Sequence, residues 1–255
     1  MDLQSGPPGG VVVDFPYAMP AVVARTAAAL ASGTAVNGSI AALDDSALYQ
    51  ITGGTAAIAD FSVTTTSDTA TPEVVVLPSS GLFSDLLASG TAVTVLSTTA
   101  TPFYVVVLDD SSGVATYPFS VTATITAATY AAVSTTPTNT SSGAAESITL
   151  PSVIDEGVVP DGATNVWYVF TAAPGDVGKT VYVQLVGGNG EGGTDIEVDA
   201  SDAATMLGAT AGDGSTDLTT SPITAAGKIF VQFQPSQAGT YDPTMPNFDA
   251  VIRLQ

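Results

Sequence analysis

Short β-prone runs recur along most of this chain at roughly ten-residue spacing, with Gly, Pro, Asp and Ser between them. They are rich in Val, Ile, Thr, Phe and Tyr, the residues that favour extended backbone. Regular short strands with turn signals between them indicate antiparallel sandwiches or barrels. The clearest runs are residues 47–51, 61–65, 73–77, 92–96, 103–108, 117–125, 166–171, 180–186, 195–198, 228–233 and 248–254.

Chain length sets the number of domains. The chain has 255 residues, of which 45% are hydrophobic. A single core usually spans about 100–200 residues, so two cores are expected. A Thr/Ser/Ala-rich segment between the two β regions is typical of a linker, with a strand at its start. We therefore predict an all-β protein of two tandem antiparallel, jelly-roll-like β-sandwiches behind a short apolar arm. The predicted boundaries are an arm at 1–35, a first sandwich at 36–126, a linker at 127–146 and a second sandwich at 147–255.

The predicted arm has three parts. Its first ten residues are rich in Gly and Pro and indicate a flexible lead. Pro20 and Gly33 suit the first turn and the end of a helix, so residues 20–33 favour a helix, with a short strand as the alternative. An apolar strand outside its own domain can complete the sheet of a neighbouring subunit, or it can cap its own domain. The candidate subunit-contact residues are Val11, Val12, Val13, Phe15 and Tyr17.

The two β regions repeat one order of patterns. Residues 47–49 match 166–168, 72–77 match 194–198, 101–107 match 227–233, and 117–121 match 248–252. This order resembles the bacterial pre-peptidase C-terminal domain, on the aromatic strands DDSALYQI and TNVWYVFT, the acidic strand TDIEV and the late strands FYVVVL and KIFVQF. The resemblance covers about 36–125 and 147–255. It implies a non-catalytic accessory sandwich of exported proteins, with calcium bound in some members.

Charge and missing residue types exclude several functions. The chain has no His, no Cys and only four Lys and Arg against 24 Asp and Glu, a net charge of -20. It therefore has no imidazole for acid–base catalysis or zinc binding and no thiol nucleophile. Its charge repels nucleic acid and anionic membranes. No apolar stretch is long enough for direct membrane insertion. We therefore predict a protein that is not an enzyme.

One acidic strand is a candidate calcium site. Asp195, Glu197 and Asp199 alternate with aliphatic residues, so on a strand their carboxylates share one face. Calcium takes six to eight oxygen ligands, several of them carboxylates. The full candidate set is Asp195, Glu197, Asp199, Asp202, Asp213 and Asp217. A solvated acidic face with no cofactor is the alternative. Separately, Asn37 and Asn139 each begin an N-glycosylation triplet.

Three functions fit these observations. The first is a structural subunit of an extracellular or cell-surface assembly, such as a filament, fibre or sheath, that self-associates into a homopolymer. The second is a phage virion protein, either a decoration or a tail-fibre subunit. The first residues lack the basic and apolar parts of a signal peptide, so either a leader has been removed or none was used. The third is an accessory module of a secreted hydrolase or adhesin that binds a glycan or a surface partner.

Overall fold

The computed structural model describes residues 3–5, 11–13, 26–41, 46–79, 87–109, 116–131, 133, 136–161, 163–186, 194–210, 217–235 and 247–255. The chain divides into two compact units, Met1–Thr126 and Ala127–Gln255. Each unit is a β-sandwich with its own hydrophobic core. The predicted all-β, two-sandwich fold is therefore confirmed. No helix in the described residues is long and apolar enough to cross a membrane.

The first unit packs a five-stranded sheet on a four-stranded sheet. The sheet orders are β3-β5-β10-β7-β8 and β4-β11-β6-β9, and a separate two-stranded sheet joins β1 to β2. The largest core side chains between the two layers include Phe61, Tyr117 and Ile40. The strands are β1 (Leu3–Ser5), β2 (Val11–Val13), β3 (Ala28–Ala29), β4 (Val36–Ile40), β5 (Ala47–Thr52), β6 (Ala57–Thr65), β7 (Pro72–Leu77), β8 (Ala88–Gly90), β9 (Ala92–Ser97), β10 (Pro102–Asp109) and β11 (Tyr117–Ala127).

The second unit packs two five-stranded sheets, β12-β14-β21-β16-β19 and β13-β15-β20-β17-β18. Its core contains Tyr168, Phe233 and Phe248, and the rings of Phe233 and Phe248 stack at 4.4 Å. Two 3-10 helices, Ser142–Ala144 and Pro174–Asp176, lie in its connections. The strands are β12 (Thr129–Tyr130), β13 (Glu146–Ser147), β14 (Ser152–Val158), β15 (Val166–Ala172), β16 (Val181–Leu185), β17 (Thr194–Asp199), β18 (Met206–Ala209), β19 (Asp217–Thr219), β20 (Gly227–Pro235) and β21 (Asn247–Leu254).

The two sandwiches have the same strand order. The series β5-β10-β7-β8 corresponds to β15-β20-β17-β18, and β4-β11-β6-β9 corresponds to β14-β21-β16-β19. The edge strands β3 and β13 also correspond, because each pairs in parallel with β5 or β15. Tyr49 pairs with Val105 in the first unit, and Tyr168 pairs with Val231 in the second. Tyr49 is therefore equivalent to Tyr168, and Val105 to Val231. All four pattern matches in the sequence fall on corresponding strands, so the internal repeat is confirmed.

The predicted helix over residues 20–33 is wrong in its described part. Ala28 and Ala29 form β3 and pair in parallel with Tyr49 and Gln50 of β5. Leu30 is buried in the first core, and its N–H donates to the carbonyl of Gln50 at 2.8 Å. Residues 20–25 lie outside the described part of the chain. An open sheet edge and a core contact for Leu30 thus override the helix propensity of alanine.

The predicted linker also contributes to a sandwich. Its strand β12 pairs in parallel with β14, and Glu146 at its end begins β13, which pairs in parallel with β15. Ala131 lies in the second hydrophobic core. Both ends of the predicted linker therefore contribute edge strands to the second unit.

Candidate functional site

The acidic strand β17 lies next to the late strand β20 and carries its carboxyl groups on the face turned away from the core. Ile196 and Val198 point into the core of the second sandwich. The alternating side chains of Asp195 and Asp199 are nevertheless only 3% and 2% exposed, whereas Glu197 is half-buried. The alternative prediction, a solvated acidic face, is therefore wrong for Asp195 and Asp199.

Amide side chains from β20 meet these buried carboxyl groups. Gln232 Nε2 donates to Glu197 Oε1 at 2.7 Å and to Asp199 Oδ2 at 3.2 Å. Gln234 Nε2 makes a longer bond to Glu197 Oε2 at 3.4 Å. Asn165 Nδ2 in turn donates to Gln232 Oε1 at 2.8 Å. We call Asn165, Glu197, Asp199, Gln232 and Gln234 the carboxyl–amide network.

Burial controls the protonation of this network. Burial, together with the charge of Glu197 and a smaller effect of Asp202, raises the pKa of Asp199 to about 6. The hydrogen bond from Gln232 acts in the opposite direction and stabilises the charged form. Asp199 therefore takes up a proton in mildly acidic solution while it stays in contact with Glu197.

Asp202 and Asp217, two further predicted calcium ligands, do not join the network. Asp202 folds back on its own turn and accepts from Thr205 N at 2.8 Å and Thr205 Oγ1 at 2.6 Å, which lowers its pKa. Asp217 is exposed and begins β19, in the opposite sheet from β17. Asp213 lies outside the described residues. Within the described part of the chain no three Asp or Glu form a metal-binding group, and calcium binding stays a prediction.

The first sandwich fills the equivalent face with apolar side chains. Val105 and Val231 are equivalent, so the residues that follow them, Val106 and Gln232, are equivalent too. Val106 pairs with Val75, whereas Gln232 pairs with Glu197. Leu77 stands where Asp199 stands in the second unit. Leu48, Val75, Leu77 and Val106 form a separate buried cluster on this face. One repeat therefore carries a hydrophobic cluster where the other carries the carboxyl–amide network.

The predicted subunit-contact residues lie in the N-terminal segment. Val11, Val12 and Val13 form β2 and pair antiparallel with Ser5, Gln4 and Leu3 of β1. We call the paired strands β1 and β2 the N-terminal hairpin. Among the described strands, β1 and β2 pair with each other and join neither sandwich. Phe15 and Tyr17 lie outside the described residues.

A cleft of about 220 Å³ opens beside Tyr168 in the second sandwich. Burial raises the pKa of Tyr168 to about 12; a hydrogen bond from the Asn139 side chain opposes this shift, and the charge of Glu146 adds to it. Glu146 reaches the cleft because β13 pairs it with Tyr168. The lining residues are Val133, Pro137, Thr138, Asn139, Glu146, Val158, Val166 and Tyr168.

Asn139 holds one wall of this cleft in place. Its carbonyl accepts from Trp167 N at 2.8 Å, and its Nδ2 donates to Trp167 O at 2.9 Å. The side chain is 8% exposed and is committed to these contacts. Asn139, the first residue of a glycosylation triplet, therefore has a structural role in this fold. Sequence patterns gave no sign of the cleft, because Glu146 belongs to no motif.

Comparisons with known proteins give solved structures of low similarity. No family model and no curated protein matches it. Similar solved structures include PliG, a periplasmic inhibitor of g-type lysozyme from Aeromonas hydrophila, at 18% identity over 37% of this chain and 78% of that chain, with a TM-score of 0.27. Human MASP-1/3 CUB1-EGF-CUB2 matches at 12% identity over 86% and 99% of the two chains, with a TM-score of 0.27.

The major capsid protein P2 of bacteriophage PM2 matches at 8% identity over 87% of this chain and 97% of that chain, with a TM-score of 0.21. Such low identities and TM-scores carry no argument about ligand or assembly. The chain is an all-β sandwich protein. The resemblance to pre-peptidase domains stays a prediction.

Proposed function

We propose that this protein is a non-catalytic structural subunit of an extracellular assembly, such as a surface filament, fibre or sheath, or of a virion. One observation carries the proposal: the N-terminal hairpin pairs with neither sandwich among the described strands. The absence of His and Cys from the chain supports a role without catalysis.

The hairpin has the properties of a connector. A two-stranded sheet by itself is at best marginally stable in water and gains from further strands or a packing face. No other described strand pairs with either edge of this sheet, and an open edge recruits strands from another chain. Val11, Val12 and Val13 favour strand geometry. We infer that the hairpin of one subunit pairs with a sheet edge of the next.

Charge sets the conditions for this association. Copies that each carry a net charge of -20 repel one another at low ionic strength. At about 0.15 M salt the screening length is about 8 Å, so the repulsion is reduced. We therefore expect polymers at moderate salt and dispersed subunits at low salt, with calcium as a further variable.

The test uses the full chain with Val12→Pro and Val12→Thr. Proline removes the N–H of β2 and blocks strand pairing, whereas threonine retains β propensity. Electron microscopy and sedimentation velocity at moderate salt should show polymers for the wild type and Val12→Thr and monomers for Val12→Pro. Polymers of Val12→Pro would exclude the hairpin as connector. A wild type that stays monomeric across salt and calcium concentrations would overturn the assembly function.

A binding module is the second candidate function. The cleft beside Tyr168 favours it, since a concave site with a few convergent polar groups is the usual form of a small-molecule site.

A further inference from the structure

We propose that the cleft beside Tyr168 binds a primary ammonium group carried on a short alkyl chain, as in a lysine side chain or a small free amine. The site lies within the second sandwich and does not depend on assembly.

The charge of the cleft favours a cationic ligand. Glu146 lines the cleft, and none of its described lining residues is basic. Of the described cations, Lys179 pairs with Asp176 at 2.8 Å, and Arg253 lies over the Tyr182 ring at 5.0 Å from its centre. With a net charge of -20 on the chain, a carboxylate or phosphate ligand would be repelled and a cation attracted.

The polar groups of the cleft match an ammonium group. An ammonium has three N–H donors and no acceptor, so its site must supply oxygen acceptors. Glu146, Tyr168 and Thr138 line the cleft, and each has a side-chain oxygen of a kind that can accept a hydrogen bond. A bond from an ammonium to a carboxylate is among the stronger hydrogen bonds in proteins. Metal ions are disfavoured, because calcium takes six to eight oxygens and the described lining contains a single carboxylate, that of Glu146.

The apolar part of the lining suits a short alkyl chain more than a sugar. Val133, Pro137 and Val158 offer aliphatic surface. Tyr168 is the aromatic residue of the lining, but it is only 3% exposed and its ring packs edge-on against Phe233 in the core, with centroids 5.8 Å apart. A flat sugar ring therefore has no aromatic face to pack on.

The first sandwich provides an internal comparison. Tyr49 holds the position of Tyr168, and Ala28 holds the position of Glu146. The Tyr49 hydroxyl packs against the backbone of Gly38, 2.8 Å from where a Cβ would stand. Gly157 of the second sandwich pairs with Phe248 as Gly38 pairs with Phe119, but the atoms nearest its Cβ position belong to Phe248 and Ile154. The carboxylate of the cleft is thus specific to the second repeat.

The experiment measures binding of n-butylammonium to the full chain by calorimetry and by fluorescence. Trp167 is the single tryptophan and its backbone is bonded to Asn139, so its emission reports on the cleft. We expect saturable binding that weakens at least roughly tenfold in Glu146→Gln, because a hydrogen bond to a charged group is lost. Tyr168→Phe should weaken binding less, since it keeps the ring in the core. 1-Butanol, which has the same alkyl chain without the charge, should not bind.

A matched variant separates the cleft from general attraction to an acidic chain. Asp68→Asn removes the same charge from an exposed turn of the first sandwich and should leave the affinity unchanged. Blocked lysine, N-acetyl-lysine amide, is the second arm: its binding indicates a protein side chain as ligand, and binding of n-butylammonium alone indicates a small amine. Equal binding by Glu146→Gln and the wild type, equal binding of 1-butanol, or no binding of either amine would overturn the proposal.

Discussion

Gln232 Nε2 donates to Glu197 Oε1 over 2.7 Å, across the adjacent strands β20 and β17. The same nitrogen lies 3.2 Å from Asp199 Oδ2, so one neutral amide serves two acidic side chains. Gln232 is itself 4% exposed. The carboxyl groups therefore depend on an internal donor in place of water.

Replacing this donor should destabilise the second sandwich. In Gln232→Met both carboxyl groups lose the amide, and we expect a loss of about 1–3 kcal/mol in free energy of unfolding at pH 7. Urea unfolding followed by Trp167 fluorescence measures this unit, because the tryptophan lies in β15. Gln234→Met, which loses a single 3.4 Å bond, should cost less. Equal losses in the two variants would contradict the central role of Gln232.

Asp199 should make stability depend on pH. Its pKa rises from 3.8 to about 6 in the folded protein, chiefly through burial. A raised carboxyl pKa means that the folded state binds the proton more tightly. The resulting stabilisation is complete below about pH 4 and is lost as the pH rises through about 6. Asp199→Asn cannot ionise, so it should gain on the wild type by about 1–2 kcal/mol between pH 4 and pH 8. Parallel stability curves for the two proteins would contradict this prediction.

Gly157 should tolerate no side chain. A Cβ there would stand 2.6 Å from Phe248 Cζ and 2.8 Å from Ile154 Cγ2, both in the tightly packed core. We expect Gly157→Ala to cost about 1–3 kcal/mol through overpacking. Gly175→Ala is the matched control, because nothing lies within 4 Å of its Cβ position. Thermal unfolding followed by Trp167 should show a lower midpoint for Gly157→Ala alone.

The Thr210 side chain provides a hydrogen bond to the backbone of β17. Its Oγ1 accepts from Ile196 N at 2.8 Å, and both residues are buried. Thr210→Val keeps the shape but leaves the N–H without this acceptor, at a cost of about 1–3 kcal/mol. Thr219→Val, at an exposed position of β19, should change stability little. Urea unfolding that gives the same midpoint for both variants would count against this role of Thr210.

The strands and their internal repeat could be predicted from sequence, because β-branched runs between turn residues report directly on local backbone preference. The helix prediction for residues 28–30 is wrong because it also relied on local backbone preference. Local preference favours a helix over an alanine-rich run, whereas pairing with Tyr49 and Gln50 is a contact made far along the chain. Such contacts leave no local pattern.

The site residues show the same limit. Alternation on β17 correctly indicated that Asp195, Glu197 and Asp199 share a face. Burial of that face and the identity of its donors depend on β20, more than thirty residues away. Glu146 and Asn139 come together at Tyr168 through a segment whose composition is that of a linker. The composition of this segment is typical of a linker, but it did not predict that the segment supplies edge strands. Edge pairing depends on the neighbouring strands of the sheet and leaves no mark on composition.

The last strand of each sandwich lies inside its sheet: β11 between β4 and β6, and β21 between β14 and β16. A chain that emerges from a ribosome or a translocation pore amino-terminus first cannot close either sheet until that strand arrives. The first sandwich can mature after residue 127, while the second waits for residues 247–254. Until then β14 and β16 have no neighbour between them, and a nascent or truncated chain exposes strand edges that invite aggregation. Each sandwich therefore passes through a stage of synthesis with open strand edges, which ends when its own last strand enters the sheet.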